Sequence, residues 1–239
     1  MVQSAVAFSG KDAWAFGSVG RKDGSLVPYN ARYNGRRWRS VTMPGMPLAV
    51  SAVSHDDMWA VGPSLKTAEL AVSKQVFIAM HWTGHGWQAL RLPKIKLPRG
   101  QDSYDAGVVA VGPRDFWSTY RIANSQNTIV SGLLHWHTGQ WQTFRLPADL
   151  LSIEGTAQDG QGGLWLTATI EKNYVDYQYW YHFQRGRWTA RRGTLSPKGY
   201  GSTYFAMAWI PGTQSVWAVG EADGNRINRS AGVIAKYGS

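Results

Sequence analysis

The sequence predicts an all-β fold, a five-bladed β-propeller with four-stranded antiparallel blades, the last of which lacks its outer strand. Three observations support this prediction. A tryptophan-centred strand motif occurs five times, a hairpin with two aromatic residues occurs four times, and small apolar runs precede copies of the first motif. Repeats of about 50 residues, each with four short strands, are typical of propeller blades.

The strand motif follows the pattern Asp-x-Trp-Ala-x-Gly, and its copies lie about 50 residues apart. They read DAWAFG at 12–17, DMWAVG at 57–62, DFWST at 115–119, GLWLT at 163–167 and SVWAVG at 215–220. The tryptophans of this motif, called the motif tryptophans below, are Trp14, Trp59, Trp117, Trp165 and Trp217. The regular spacing predicts one such strand in every blade.

The hairpin motif has an aromatic residue, a turn that contains glycine, and a tryptophan five positions after the aromatic residue. The clearest copies are MHWTGHGWQALRLP at 80–93 and LHWHTGQWQTFRLP at 134–147; weaker ones lie at 32–44 and 182–192. A tight glycine turn joins two antiparallel strands, whose side chains then face each other across the pair. We therefore expect the rings to pack in the pairs Tyr33/Trp38, Trp82/Trp87, Trp136/Trp141 and Phe183/Trp188.

Small apolar segments predict the innermost strands at about 3–9, 48–54, 106–112, 152–158 and 203–210. In the fifth repeat Tyr237 aligns with the first aromatic residue of the hairpin, and the sequence ends before the second, so three strands are expected there. The prediction is one propeller domain over 1–239, with blades at approximately 1–45, 46–95, 104–149, 150–195 and 201–239.

The composition excludes some chemistry and leaves much open. The chain has 239 residues, 13 Trp, no Cys and a net charge of +10. Disulfides, thiolate metal sites and a cysteine nucleophile are excluded. No apolar run of 18 residues occurs, so no membrane span is expected. The first residues lack the features of a signal peptide, which leaves two interpretations: a secreted or surface protein whose targeting segment lies outside this sequence, or a cytoplasmic one.

These motifs resemble known repeat families. The Trp strand, the aromatic hairpin and the following Leu-Pro resemble kelch-type repeats, and they are more similar to uncharacterised bacterial propellers of actinobacterial type with DVWAVG and HWDGTxW repeats. The chain departs from kelch in having no Gly-Gly pair that closes the second strand and a shorter aromatic interval. It also lacks the Asp and Thr of the sialidase Asp-box. The resemblance implies a propeller fold and says almost nothing about function.

No motif for catalysis, metal binding or cofactor binding emerges from the sequence. His81, His135 and His182 share one repeat position, which favours a structural role over metal ligation. Asp12, Asp57 and Asp115 share another and are expected to cap turns. We therefore predict no catalytic residue, no metal and no cofactor, so that the chain is more readily a binding protein than an enzyme.

Function in repeat proteins concentrates on loops that break the repeat. Seven of the eleven tyrosines lie in such segments with polar neighbours, and tyrosine with adaptable polar residues makes a good binding surface. The prediction is a non-enzymatic propeller that binds a glycan or another small polar or anionic ligand. The predicted ligand-binding residues are Tyr104, Asp105, Tyr120, Arg121, Tyr174, Asp176, Tyr177, Tyr200 and Glu221.

Several alternatives stay open at this point. The tyrosines can simply pack the loops, and the chain can be a protein-interaction or structural scaffold. A glycosidase-like enzyme would need two neighbouring carboxylates, drawn from Asp102, Asp105, Glu154, Glu171, Asp176, Glu221 and Asp223. The arginine-rich outer strands suit an anionic partner or protect strand edges, while nothing specific supports nucleic acid. The edge of the fifth blade predicts self-association.

Overall fold

The chain folds as a five-bladed β-propeller in the computed structural model, which confirms the predicted fold class. The structure describes residues 2–22, 26–95, 100–126, 129–147, 150, 152–172, 175–193, 202–224 and 229–238. The chain divides into two compact units, 1–144 and 145–239. No helix in the described ranges is long and apolar enough to cross a bilayer.

The first unit contains three four-stranded antiparallel sheets, each a meander in chain order. The first sheet comprises β1 (Val2–Ser9), β2 (Asp12–Gly20), β3 (Leu26–Tyr33) and β4 (Trp38–Ser40). The second comprises β5 (Ala49–Ser54), β6 (Asp57–Pro63), β7 (Phe77–Trp82) and β8 (Trp87–Arg91), with a 3-10 helix at Val72–Lys74. The third comprises β9 (Gln101–Gly112), β10 (Asp115–Asn124), β11 (Ile129–His137) and β12 (Gln140–Phe144).

The second unit contains the fourth and fifth sheets. The fourth comprises β13 (Ser152–Gln158), β14 (Leu164–Lys172), β15 (Val175–Gln184) and β16 (Arg187–Arg192). The fifth has three strands, β17 (Ser202–Trp209), β18 (Val216–Gly224) and β19 (Arg229–Tyr237), as predicted. The innermost strands match the predicted positions, except that β9 begins several residues early, at Gln101. The prediction of a single domain over 1–239 stays a prediction.

The hairpin rings pack across their strand pairs, as expected. Each aromatic residue is the direct cross-strand partner of the tryptophan five positions later. The ring centroids are 5.4 Å apart for Tyr33/Trp38, 5.9 Å for Trp82/Trp87, 5.1 Å for Trp136/Trp141 and 4.8 Å for Phe183/Trp188. The burial is smaller than the motif suggests, because the outer strands carry these tryptophans: Trp87 and Trp141 are half-buried and Trp38 is 48% exposed.

Motif tryptophans lie in the hydrophobic cores between neighbouring sheets of each unit. In the first unit, Trp14 packs with Met58, Met80 and Trp82 of the second sheet, and Trp59 packs against Phe116 of the third. In the second unit, Trp165 lies in a cluster with Tyr204, Val216 and Ala218 of the fifth sheet. Large rings bury much apolar area each, so Trp14, Trp59 and Trp165 contribute strongly to the packing of adjacent sheets within a unit, whereas Trp217 is 46% exposed.

The glycine that ends the strand motif is required by a close backbone approach. A Cβ atom added at Gly62 would lie 1.9 Å from the carbonyl oxygen of Met46, and one at Gly220 would lie 1.8 Å from that of Thr203. Both contacts are with backbone and far inside van der Waals distance. The glycine therefore allows the innermost segment to lie directly against the second strand.

We expect Gly62→Ala to destabilise the protein by about 2–4 kcal/mol, because the added methyl group forces the backbone apart in a packed region. Chemical denaturation monitored by tryptophan fluorescence measures the change. Gly86→Ala is the matched control, since a Cβ at Gly86 meets no atom within 4 Å. Equal stability of the two variants would contradict the close-approach explanation.

Candidate functional site

A histidine, a carboxylate and a motif tryptophan form a recurring structural group. In three sheets the histidine donates to a carboxylate through Nε2 and stacks on the indole ring. The hydrogen bonds measure 2.8 Å for His81–Asp57, 2.7 Å for His135–Asp115 and 2.8 Å for His182–Asp159. The ring centroids are 3.8 Å apart for His81 and Trp59, 3.6 Å for His135 and Trp117 and 4.1 Å for His182 and Trp165. In the first sheet Arg32 takes the place of histidine, binding Asp12 and lying over Trp14.

The carboxylate of the fourth sheet was missed by sequence analysis. Its motif copy, GLWLT, has no aspartate, and Asp159 supplies the missing group from the turn before it. Asp159 is fully buried and also accepts hydrogen bonds from the backbone N–H groups of Gln161 and Gly163. Burial opposes ionisation, but the hydrogen bonds from His182 and the two backbone groups outweigh it, so the pKa of Asp159 lies below its usual value.

One of these groups has the composition of a metal site. Asp115, His135 and His137 each offer one ligand atom, and these three atoms lie within 4.8 Å of one another, which makes them a group of three among the described residues. Both histidines hydrogen-bond the carboxylate, at 2.7 and 2.9 Å. Burial opposes ionisation, yet these bonds lower the pKa of Asp115. Two imidazoles and a carboxylate can coordinate a transition metal. In the second sheet, however, the same His–Asp pair recurs with no third ligand group among the described residues.

Polar residues share a register position at one end of three sheets. We call this the loop-bearing end, where the second strand finishes and the third begins. The residue four positions after the motif tryptophan and its two cross-strand partners together form what we call the polar row. It consists of Asp105–Arg121–Ser131 in the third sheet, Ser152–Thr169–Gln178 in the fourth and Thr203–Glu221–Gly232 in the fifth. The second sheet has Pro63 and Phe77 there instead.

The polar row of the fourth sheet surrounds one carboxylate. Glu154 is the extra residue of a bulge in β13, between Ile153 and Gly155 in the strand register. Its carboxylate accepts hydrogen bonds from Ser152 Oγ, from Thr169 Oγ1 at 2.8 Å and from Gln178 Nε2 at 3.0 Å. Gln178 is 7% exposed, and its Oε1 has no hydrogen-bond partner among the described residues. The group therefore combines a fixed carboxylate with an unused carbonyl acceptor.

The predicted ligand residues of the third sheet divide between its two faces. Arg121 Nη1 lies 3.5 Å from Asp105 Oδ2, and Arg121 Nε is buried with no hydrogen-bond partner among the described residues. Tyr104 stacks on Phe77 at 3.6 Å, and Tyr120 is 6% exposed. Burial raises the pKa of both tyrosines. These two rings pack the core, while Asp105 and Arg121 lie together on the opposite face.

The remaining predicted residues lie in the second unit or outside the described residues. Tyr177 is half-buried beneath the guanidinium of Arg192, at 4.2 Å from the ring centroid, on the face opposite Gln178. Glu221 lies in the polar row of the fifth sheet. Asp176 pairs with Glu171 in the strand register, but its side chain is outside the described residues, as are Tyr174 and Tyr200 entirely. Binding by all nine residues stays a prediction.

Comparisons with known proteins agree only at the level of fold. No protein-family model and no curated protein matches the sequence. The backbone is similar to an endosialidase of phage phi92 (TM-score 0.47, 8% identity, 100% of this chain and 45% of that one). It is also similar to a Trypanosoma rangeli sialidase in complex with the inhibitor DANA (0.42, 10%, 90% and 51%) and to a point mutant of the Bombyx mori GH32 β-fructofuranosidase BmSUC1 in complex with sucrose (0.38, 10%, 98% and 59%).

The chain spans about half the length of these three proteins. At TM-scores below 0.5, the similarity carries no argument about ligands or reactions. The relation to kelch-like repeats also stays a prediction, because the repeat motifs are matched by no family model.

Proposed function

We propose that this propeller is a non-enzymatic binding protein for a glycan or another small polar or anionic ligand, held at the loop-bearing end of its fourth sheet. One observation carries the proposal: the Glu154 carboxylate, held by three side-chain donors in the polar row of the fourth sheet. Its supporting residues are themselves on paired strands, which are more rigid than loops. A carboxylate fixed in this way needs no reorganisation before it accepts a hydroxyl group.

The row suits a polyhydroxylated ligand in particular. Binding sites for small molecules use a few well-placed polar groups to fix orientation. Glu154 accepts hydrogen bonds, and the buried Oε1 of Gln178, which has no partner among the described residues, is free to accept one from a ligand. Because a buried acceptor without a donor costs free energy, a ligand hydroxyl that reaches it stabilises the complex. In the third sheet Arg121 and Asp105 provide a donor and an acceptor at the same register position.

A glycan array followed by isothermal titration tests this proposal. We expect at least one glycan to bind, and Gln178→Ala or Glu154→Gln to weaken its binding about tenfold, which corresponds to the loss of one hydrogen bond. Gln142→Ala is the control, because Gln142 is exposed on the outer strand β12. Thermal melting of each variant separates lost binding from lost folding. Binding that survives both changes in folded variants would contradict this site.

The enzymatic alternative is tested with the same protein. Glycoside hydrolysis uses two carboxylates about 5–9.5 Å apart, and Glu154 would supply one of them. The binding proposal predicts no turnover of nitrophenyl glycosides by the wild-type protein. Hydrolysis that Glu154→Gln abolishes would replace a binding role with a catalytic one.

A further inference from the structure

A groove of about 440 Å³ lies in the second unit, between the outer strand β16 of the fourth sheet and the edge strand β19 of the fifth. Its walls are aromatic and basic. They include Trp165, Trp180, Thr189, Arg191, Lys236 and Tyr237. Trp180 and Tyr237 stack at 4.9 Å, and Trp165 meets Tyr237 edge-on at 5.2 Å. The groove is thus a preformed aromatic slot beside an edge strand.

The other sheets show what fills the corresponding place. In the third sheet, β12 pairs with β11, and its Trp141 packs on Trp136 and Phe116. The Trp141 indole N–H donates to the carbonyl of Arg91, at the end of the preceding outer strand, at 3.1 Å. In the fourth sheet Trp188 donates in the same way to the carbonyl of Arg145, at 3.0 Å. Within the first unit, an outer-strand tryptophan therefore closes the third sheet against the second.

The fifth sheet has a ring and a carbonyl group at the positions that contact such a tryptophan in the other sheets. Tyr237 corresponds to Trp136 in the repeat, because each comes directly after the residue that pairs with the motif tryptophan of its own sheet. The carbonyl of Arg192 has the position of the two acceptors, because Arg192 comes four residues after Trp188, as Arg145 comes four residues after Trp141. The edge strand β19 has no strand on its second side among the described residues. Exposed strand edges of this kind accept extended peptides.

We propose that the groove and the edge of β19 bind an extended peptide segment of a partner protein, with a tryptophan opposite Tyr237 and an acidic residue directly after it. The tryptophan fills the slot beside Trp165 and Trp180 and donates to the carbonyl of Arg192. The next residue faces Lys236, as Gln142 faces His135 in the third sheet. Opposite charges at directly paired positions are favourable, and Arg191 adds a second positive charge to the groove.

A second copy of the chain fits this groove poorly. Pairing two β19 strands antiparallel along their whole length places Tyr237 of each copy opposite the beginning of the other strand, away from the groove. Such a pair also leaves the slot without a tryptophan, because β19 contains none. An acidic peptide with one tryptophan meets both requirements of the groove.

Fluorescence polarisation with synthetic peptides tests the proposal. The probe has the sequence of residues 139–147 with Gln142→Glu. One comparison peptide carries Trp141→Ala in addition to Gln142→Glu, and the other carries Gln142→Lys in place of Gln142→Glu. We expect the probe to bind, the alanine peptide to bind at least tenfold more weakly, and the lysine peptide several-fold more weakly. In a Lys236→Glu protein the preference should reverse, so that the lysine peptide binds more tightly. Amides of residues 231–237 should exchange more slowly when the probe is bound.

Three results would overturn the proposal. One is equal binding of the tryptophan and alanine peptides, and another is a peptide preference that Lys236→Glu leaves unchanged. The third is dimerisation of the protein alone, seen by sedimentation, with protection of residues 231–237 and no response to the probe, since this would make a second copy the occupant. Glycan binding at the polar row is measured independently and does not depend on the outcome.

Discussion

Replacing Trp59 with alanine should lower the free energy of unfolding by about 3–5 kcal/mol, the range for deleting a large buried ring. Trp59 is 1% exposed, stacks on His81 and Phe116, and donates its indole N–H to the carbonyl of Gly112 at 3.1 Å. The substitution removes apolar contacts, leaves a cavity between the second and third sheets and deprives the partly buried Gly112 carbonyl of a hydrogen-bond donor. Each loss acts in the same direction.

The measurement is urea denaturation followed by the remaining tryptophan fluorescence, with Trp38→Ala as the matched control. Trp38 also belongs to a repeat motif of the first unit, but it is 48% exposed. Its replacement should cost about 1 kcal/mol or less. Similar losses for both variants would show that the motif tryptophans do not dominate the core.

Replacing Asp159 with alanine should cost about 3 kcal/mol or more, because it leaves several buried donors without an acceptor. The carboxylate accepts from His182 at 2.8 Å, from Gln184 at 3.3 Å and from the N–H groups of Gln161 and Gly163. Asp56→Asn is the control, because the Asp56 side chain is 58% exposed and binds the equally exposed His55. No measurable loss is expected there.

The effect of Asp159 should depend on pH in a defined direction. Its pKa is lower in the folded protein than the usual value of 3.8, so the unfolded chain takes up the proton more readily as pH falls. The stabilisation is fully present above the usual carboxyl pKa and is lost as pH falls through the lower folded value. The stability difference between wild type and Asp159→Asn should therefore shrink below about pH 4. A difference that grows on acidification would contradict the ionised state.

The repeat made the fold predictable and left much of the site unpredictable. The constant interval between Trp82 and Trp87, and between Trp136 and Trp141, reports a hairpin whose rings face each other, a local relation that sequence spacing records directly. The fifth sheet's missing strand followed from the same alignment at Tyr237. These features depend on neighbours in the chain, so the sequence contains them.

The site depends on contacts that spacing does not record. Glu154 was one of seven candidate carboxylates, and only the bulge in β13 and the pairing of Thr169 with Gln178 bring its three donors together. Tyr104 was selected for its aromatic and polar character, but the structure places its ring in a core against Phe77. Asp159 lies outside the motif it completes. A periodicity rule over the polar row, four residues after each motif tryptophan, would have found Thr169 and Glu221 together with Arg121.

The most direct test of the binding role is side-chain amide NMR of the protein during titration with the best glycan from the array. The account predicts that the side-chain NH₂ resonances of Gln178 and the backbone amide of Thr169 shift in step with binding, while those of Gln142 stay in place. Saturable glycan binding that leaves Gln178 and Thr169 unchanged, with shifts confined to other parts of the protein, would contradict it.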